Sequence, residues 1–138
     1  MKDKKAAMAL LVDSSVSSGL SEILSKLRPI LEEIGDIKIG KVVVRQQEAV
    51  EFSKVIAQEG FIPVIVHDDL DIQLALEAME LIYNEKIETL AIATENENLL
   101  LLLSRARELG KEVILLYTSD KVNRGLQHAA DLVLPVTH

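Results

Sequence analysis

A chain of 138 residues with 49% apolar side chains can enclose one substantial core, and with aromatics at only 3% that core must be built from Leu, Ile, Val and Ala. The formal charge of -7 excludes a nucleic-acid surface that works by phosphate neutralisation alone, and the lack of cysteine excludes disulfides and thiolate metal sites. No apolar run reaches the roughly 18–20 residues of a membrane span, and the start Met1-Lys2-Asp3-Lys4-Lys5 lacks the apolar core of a signal peptide, so the expectation is one cytoplasmic domain over residues 1–138, with no membrane partner.

Ala6 to Val12 is a continuous apolar run ending in Asp13, and Ser14-Ser15-Val16-Ser17-Ser18-Gly19 breaks it, which predicts a buried strand followed by a loop. Ser18 or Ser21 is placed to cap the next helix, in which Leu20, Ile23, Leu24, Leu27, Leu31 and Ile34 recur at helical spacing. Pro29 should kink or divide that helix, and Gly35 should end it. Ile37 to Arg45 reads as a second strand. Glu48 to Glu59 reads as a second helix, with Val50, Val55 and Ile56 among its buried positions and Gly60 at its carboxyl cap.

Phe61 to Val66 is the third strand, followed by the loop His67-Asp68-Asp69-Leu70-Asp71. Asp69 is a candidate cap for a helix bearing Leu74, Ala75, Ala78, Met79, Leu81 and Ile82. A strand over Glu88 to Thr94, a helix over Glu97 to Leu109 with Gly110 after it, and a strand over Glu112 to Tyr117 come next. A short helix over Asn123 to Ala130 and a strand over Leu132 to Val136 complete the pattern. Strands alternating with helices predict an α/β fold, a three-layer α/β/α sandwich around a five- or six-stranded mainly parallel sheet.

In open sheets of this kind ligands bind at the carboxyl edge. Asp13, Asp71 and the pair Asn96 and Asn98 follow the first, third and fourth strands, so they should converge there. Glu77 lies six residues beyond Asp71, less than two full helical turns, and therefore points deeper or sideways. Glu95 and Glu97 alternate with the two amides and point elsewhere.

These segments together resemble a known family. Asp13 after an apolar strand, Asp71-Ile72-Gln73-Leu74-Ala75-Leu76-Glu77, Thr94-Glu95-Asn96-Glu97-Asn98-Leu99 and Leu126-Gln127-His128-Ala129-Ala130-Asp131 are similar, in order and spacing, to the NYN domain. That is a branch of the PIN-like nuclease superfamily, and the likeness runs from Ala6 to Val136, towards its archaeal single-domain members. The resemblance implies a PIN-like or Rossmann-like fold and a metal-dependent ribonuclease, with Mg²⁺ or Mn²⁺ as cofactor and RNA as partner. By position Asp13 and Asp71 match the metal ligands, Glu77 an acidic position in the same helix, and Thr94, Asn96 and Asn98 the groups that place the metal's water or the phosphate. Ser14 and Ser119 lie at the same edge as further substrate contacts.

The departures fall within the site. Where the family carries Ser/Thr-x-Asp-x-Asp-Phe, this chain has Thr94-x-Asn96-x-Asn98-Leu99, two neutral amides in place of two acids. Where the family shows Gly-x-Asn after the first Asp, this chain has Ser14-Ser15-Val16. A charge pair at about 4 Å is worth roughly 4 kcal/mol at an effective dielectric near 20, and a divalent ion doubles it. Loss of even one carboxylate therefore removes much of the affinity, and the expectation is a degraded metal site with weak or lost activity.

Simpler roles stay open for the same residues. Asp13 also fits a buried turn, Asp68 and Asp69 a solvated loop and a cap, His67 a loop histidine, and Asn96 and Asn98 helix caps. Asp120 after the fifth strand suits an exposed turn, and His128 and Asp131 the packing and capping of the last helix. Arg105, Arg107, Lys111 and Arg124 are interspersed with acids, so no groove for DNA or strong groove for RNA is evident. The run Leu99 to Leu103 suits a buried helix or an oligomer interface, which leaves a homodimer open. A non-catalytic interaction or RNA-binding module is the alternative to an enzyme. A nucleotide-binding domain is a weaker third class, because no Gly-rich phosphate loop follows the first strand.

Overall fold

The computed structural model describes residues 5–15, 20–118 and 123–136. Six strands, β1 (Ala6–Asp13), β2 (Gly35–Arg45), β3 (Ile62–Val66), β4 (Thr89–Ala93), β5 (Glu112–Tyr117) and β6 (Leu132–Pro135), form one sheet in the order β3-β2-β1-β4-β5-β6. Every pairing is parallel. The chain winds outward from β1 to β3, returns to the centre at β4 and winds out the other way. The crevice between the carboxyl ends of β1 and β4 is therefore the topological switch point of the sheet.

The alternation of strand side chains divides the core in two. Met8, Leu10 and Val12 of β1 face α1 (Leu20–Glu32) and α2 (Gln46–Gln58). Ala9 and Leu11 face the opposite layer, made by α3 (Leu70–Ile82), α4 (Leu100–Glu108) and α5 (Arg124–His128). Strands buried on both faces explain why β1 and β4 read as unbroken apolar runs. Gly60 and Gly110, with φ of 82° and 84°, close α2 and α4 in the left-handed conformation expected of them.

Several sequence expectations need correction. α1 runs through Pro29 without division and ends at Glu32, before Gly35, which belongs to β2. Pro29 is on the exposed face, where a freed carbonyl meets water, while Leu27 and Leu31 on either side are fully buried and hold the helix in line. Ser21 lies inside α1 and is not its cap, and Ser18 lies outside the described residues. α2 begins two residues early, because Glu48 occupies its third position and accepts from the Arg45 backbone N–H at 3.0 Å. Ala49, Phe52 and Ile56 make the inward stripe, so Val50, one residue off it, is 94% exposed. Met79, one residue beyond buried Ala78, is exposed. The fourth helix opens as a 3-10 turn (Glu97–Leu99), and only one side of its leucine run is buried, with Leu99 and Leu103 inside and Leu101 outside. No helix among the described residues is long and apolar enough to cross a membrane.

Candidate functional site at the switch point

Val12 pairs with Ala93, so the next residues, Asp13 and Thr94, sit side by side at the carboxyl edge. Both are buried. The Thr94 hydroxyl donates to Asp13 Oδ2 at 3.0 Å, while Asp13 Oδ1 accepts from the Ser15 backbone N–H at 2.9 Å and the Ser15 hydroxyl at 2.7 Å. Thr94 Oγ1 in turn accepts from the Asn96 backbone N–H at 3.0 Å. A buried carboxylate with three donors is satisfied without solvent.

Beyond Thr94 the two amides face the start of α3. Asn96 Oδ1 accepts from the Asn98 backbone N–H at 2.9 Å, which caps the 3-10 turn and directs the Asn96 amide group outward. Its Nδ2 donates to Asp71 Oδ1 at 2.7 Å, and Asn98 Nδ2 donates to Asp71 Oδ2 at 3.2 Å. Asp71 is held there by the Asp69 cap, whose side chain accepts from the Asp71 and Ile72 backbone N–H groups. Each Asp71 oxygen thus has its own amide donor. Asp13, Thr94, Asn96, Asp71 and Asn98 form one connected network, and Asn96 both caps the 3-10 turn and reaches Asp71.

Glu77 stands apart. It is buried, its Oε1 bound to Lys41 Nζ at 2.8 Å and its Oε2 to Gln73 Nε2 at 2.8 Å. Lys41 pairs with Leu11, two residues back from the edge that Asp13 occupies. The hydrogen bond that the Lys41 ammonium donates to Glu77, opposed by burial and reinforced by the charges of Glu77 and Glu80, raises the Lys41 pKa above the ordinary lysine value. Ser14 donates to Glu48 Oε1 at 3.0 Å and so braces α2 against the loop. Ser119 and Asp120 lie outside the described residues. Glu97 accepts from Asn123 Nδ2 at 2.8 Å and does not turn toward Asp71, and His67, exposed, pairs with Gln46 at 3.0 Å. Two participants are not singled out by the sequence: Ser15, foreshadowed only by an Asp-x-Ser turn spacing, and Lys41, one of four charged residues of β2.

The donor set does not fit a divalent cation. A hard cation needs oxygens from carboxylates or carbonyls. Here both Asp71 oxygens meet N–H groups, both Asp13 oxygens are taken by Ser15 and Thr94, and no group of three or more His, Asp or Glu among the described residues is arranged to hold a metal. A groove of about 950 Å³ along α4 and α5, with Arg107, His128 and Asp131 in its lining, involves none of these residues, and its Arg107 is tied to Asp131 at 3.3 Å.

Sheet order and site together define an α/β domain whose polar centre is built on acids at the switch point. The chain belongs to the NYN domain family, whose model matches residues 7–137. NYN domains fall in the PIN-like nuclease superfamily, whose members are typically dependent on a divalent metal. An uncharacterised protein of Methanocaldococcus jannaschii is 33% identical over 131 residues, covering 94% of this chain and 55% of that protein, so the chain spans about half the length of that relative. A crystal structure of a protein of unknown function from Vibrio parahaemolyticus shares the fold, with a TM-score of 0.80 at 15% identity over 99% of this chain and 96% of the other.

Proposed function

We propose that this chain is a single NYN unit of ribonuclease ancestry in which the metal centre has been replaced by an internal hydrogen-bond network, with RNA hydrolysis lost or very slow. The observation that carries this reading is the pairing of each Asp71 oxygen with an amide from Asn96 or Asn98. If acids stood at 96 and 98, carboxylates would crowd Asp71, and a cation would be needed to relieve them. With amides there, the crowding becomes two hydrogen bonds and the need for the cation disappears. Asp13 and Asp71 are then the remnant of the ancestral ligand pair, Thr94 the strut between them, and Glu77 a structural partner of Lys41.

RNA is the ancestral substrate class in this reading, and the cytoplasm its compartment. The direct test is cleavage of a labelled single-stranded RNA with Mn²⁺ by the natural protein, by Asn96→Asp/Asn98→Asp and by Asp13→Asn. Cleavage only by the double variant supports the reading. Cleavage by the natural protein that Asp13→Asn abolishes contradicts it, and cleavage by none of the three moves the weight to an interaction module. That second reading is favoured by the exposed apolar face of α3.

A further inference from the structure

α3 and the residue just past it carry two stripes of the same four-three-four spacing, and the less apolar one faces the sheet. Leu70, Leu74, Glu77 and Leu81 are buried, whereas Ile72, Leu76, Met79 and Tyr83, each two residues further on, are 44–61% exposed. Two residues are about 200° of helix, so the exposed stripe lies nearly opposite the buried one. Apolar burial alone favours the outer stripe, because the inner one takes the charge of Glu77 out of water. A specific contact must therefore select the inward face.

That contact is at Lys41. β2 pairs it with Leu11 of β1 on one side and Ile62 of β3 on the other, so its backbone is held in the sheet. Its Nζ donates to Glu77 Oε1 at 2.8 Å and to Glu80 Oε2 at 3.4 Å, and Gln73 Nε2 donates to Glu77 Oε2 at 2.8 Å. The Asp69 cap acts on backbone N–H groups, which run along the helix axis, and so fixes the end of α3 rather than its roll. We propose that the pair of Lys41 and Glu77 sets the roll of α3 and thereby places Asp71 against Asn96 and Asn98, which makes Lys41 a positioning residue of the site. Asp71 precedes Glu77 by six residues and lies about 120° round the helix from it. With Glu77 on Lys41, the Asp71 carboxylate meets the Asn96 and Asn98 amides at 2.7 and 3.2 Å. A roll of one residue, about 100°, carries it away from both. A buried ion pair is a weak source of stability but a good source of register, since a wrong setting leaves both charges unpaired. From the proposed function this takes only that Asp71 belongs to the site; the state of the metal centre does not enter.

Lys41→Met/Glu77→Leu replaces the pair with apolar side chains of similar size and should leave the urea midpoint equal to or above that of the natural chain. The side-chain amide signals of Asn96 and Asn98 in nitrogen–proton correlation spectra, recorded without metal or RNA, should nevertheless move toward their positions in Asp71→Ala. Leu76→Cys, the sole thiol in a chain without cysteine, should react at least about twofold more slowly with a soluble reagent in that background, because two settings of similar apolar burial then share the population. Glu77→Gln keeps both hydrogen bonds without the charge, so its midpoint should fall while the amide signals stay in place. A folded double variant with natural amide signals and natural labelling would overturn the proposal, as would displaced amide signals in Glu77→Gln. A double variant that does not fold would overturn it as well, since the pair would then hold the whole fold and not the setting of one helix.

Discussion

Thr94→Val keeps the shape of the side chain and removes the hydroxyl that joins the two halves of the site. That hydroxyl donates to a buried Asp13 oxygen and accepts from the Asn96 N–H, both at 3.0 Å. A hydrogen bond to a charged group contributes about 1.5–3 kcal/mol, and an unpaired polar group left inside costs about 1–3 kcal/mol. The Asn96 amide sits where water has partial access, so its share falls at the low end, and the whole loss comes to about 2.5–4 kcal/mol. At roughly 2–4 °C per kcal/mol for a chain near 150 residues, the melting temperature should fall by about 5–16 °C. Urea denaturation followed by circular dichroism reads the change, with the m-value constant. Thr94→Ser should recover most of it, and in an Asp13→Asn background the cost of Thr94→Val should shrink, because the two changes share one interaction. A Thr94→Val protein within about 0.5 kcal/mol of the natural chain would refute the claim that this hydroxyl is the strut.

Other consequences can be checked on the same chain. Asn96→Asp/Asn98→Asp, which sets carboxylates against Asp71, should destabilise the protein in EDTA by about 1–4 kcal/mol, the range between solvent-like and surface dielectric at 4 Å, and Mn²⁺ should restore stability to the variant in thermal melts while leaving the natural chain unmoved. Glu77→Gln, which removes the charged partner of a mostly buried Lys41, should cost about 1–3 kcal/mol in urea titrations. Because the folded-state Lys41 is raised, its contribution is fully present below the ordinary lysine value of 10.5 and lost as pH climbs through the higher folded value. The natural chain should therefore show a stability decline above that point that Glu77→Gln lacks. Asp69→Ala removes the cap of α3 and should cost about 1 kcal/mol, with a matching loss of amide-exchange protection at Asp71 and Ile72.

The architecture was legible because strands buried on both faces leave little choice of pattern. β1, β4 and β5 are unbroken apolar runs, and each is followed by polar residues or glycine. The convergence of Asp13, Asp71 and the two amides follows from their places after the first, third and fourth strands and the carboxyl-edge rule. What the sequence could not supply was direction. A helical stripe is defined to within one residue only by what it packs on, which is why Val50, expected inside, lies outside. Ser14 and Ser15 are chemically equal as text, and the turn geometry gives Ser15 to Asp13 and Ser14 to Glu48. Glu77 belonged by spacing to the site helix, yet Lys41, thirty-six residues away, claims it.

In the proposed reading, the amides of Asn96 and Asn98 stand where a cation would otherwise be needed. That reading is tested most directly by titrating Mn²⁺ into the natural chain and into Asn96→Asp/Asn98→Asp while following the electron paramagnetic resonance signal of the free ion. The double variant should deplete the free signal over a range in which the natural chain leaves it unchanged. Depletion by the natural chain as strong as by the double variant, and abolished by Asp71→Asn, would contradict it.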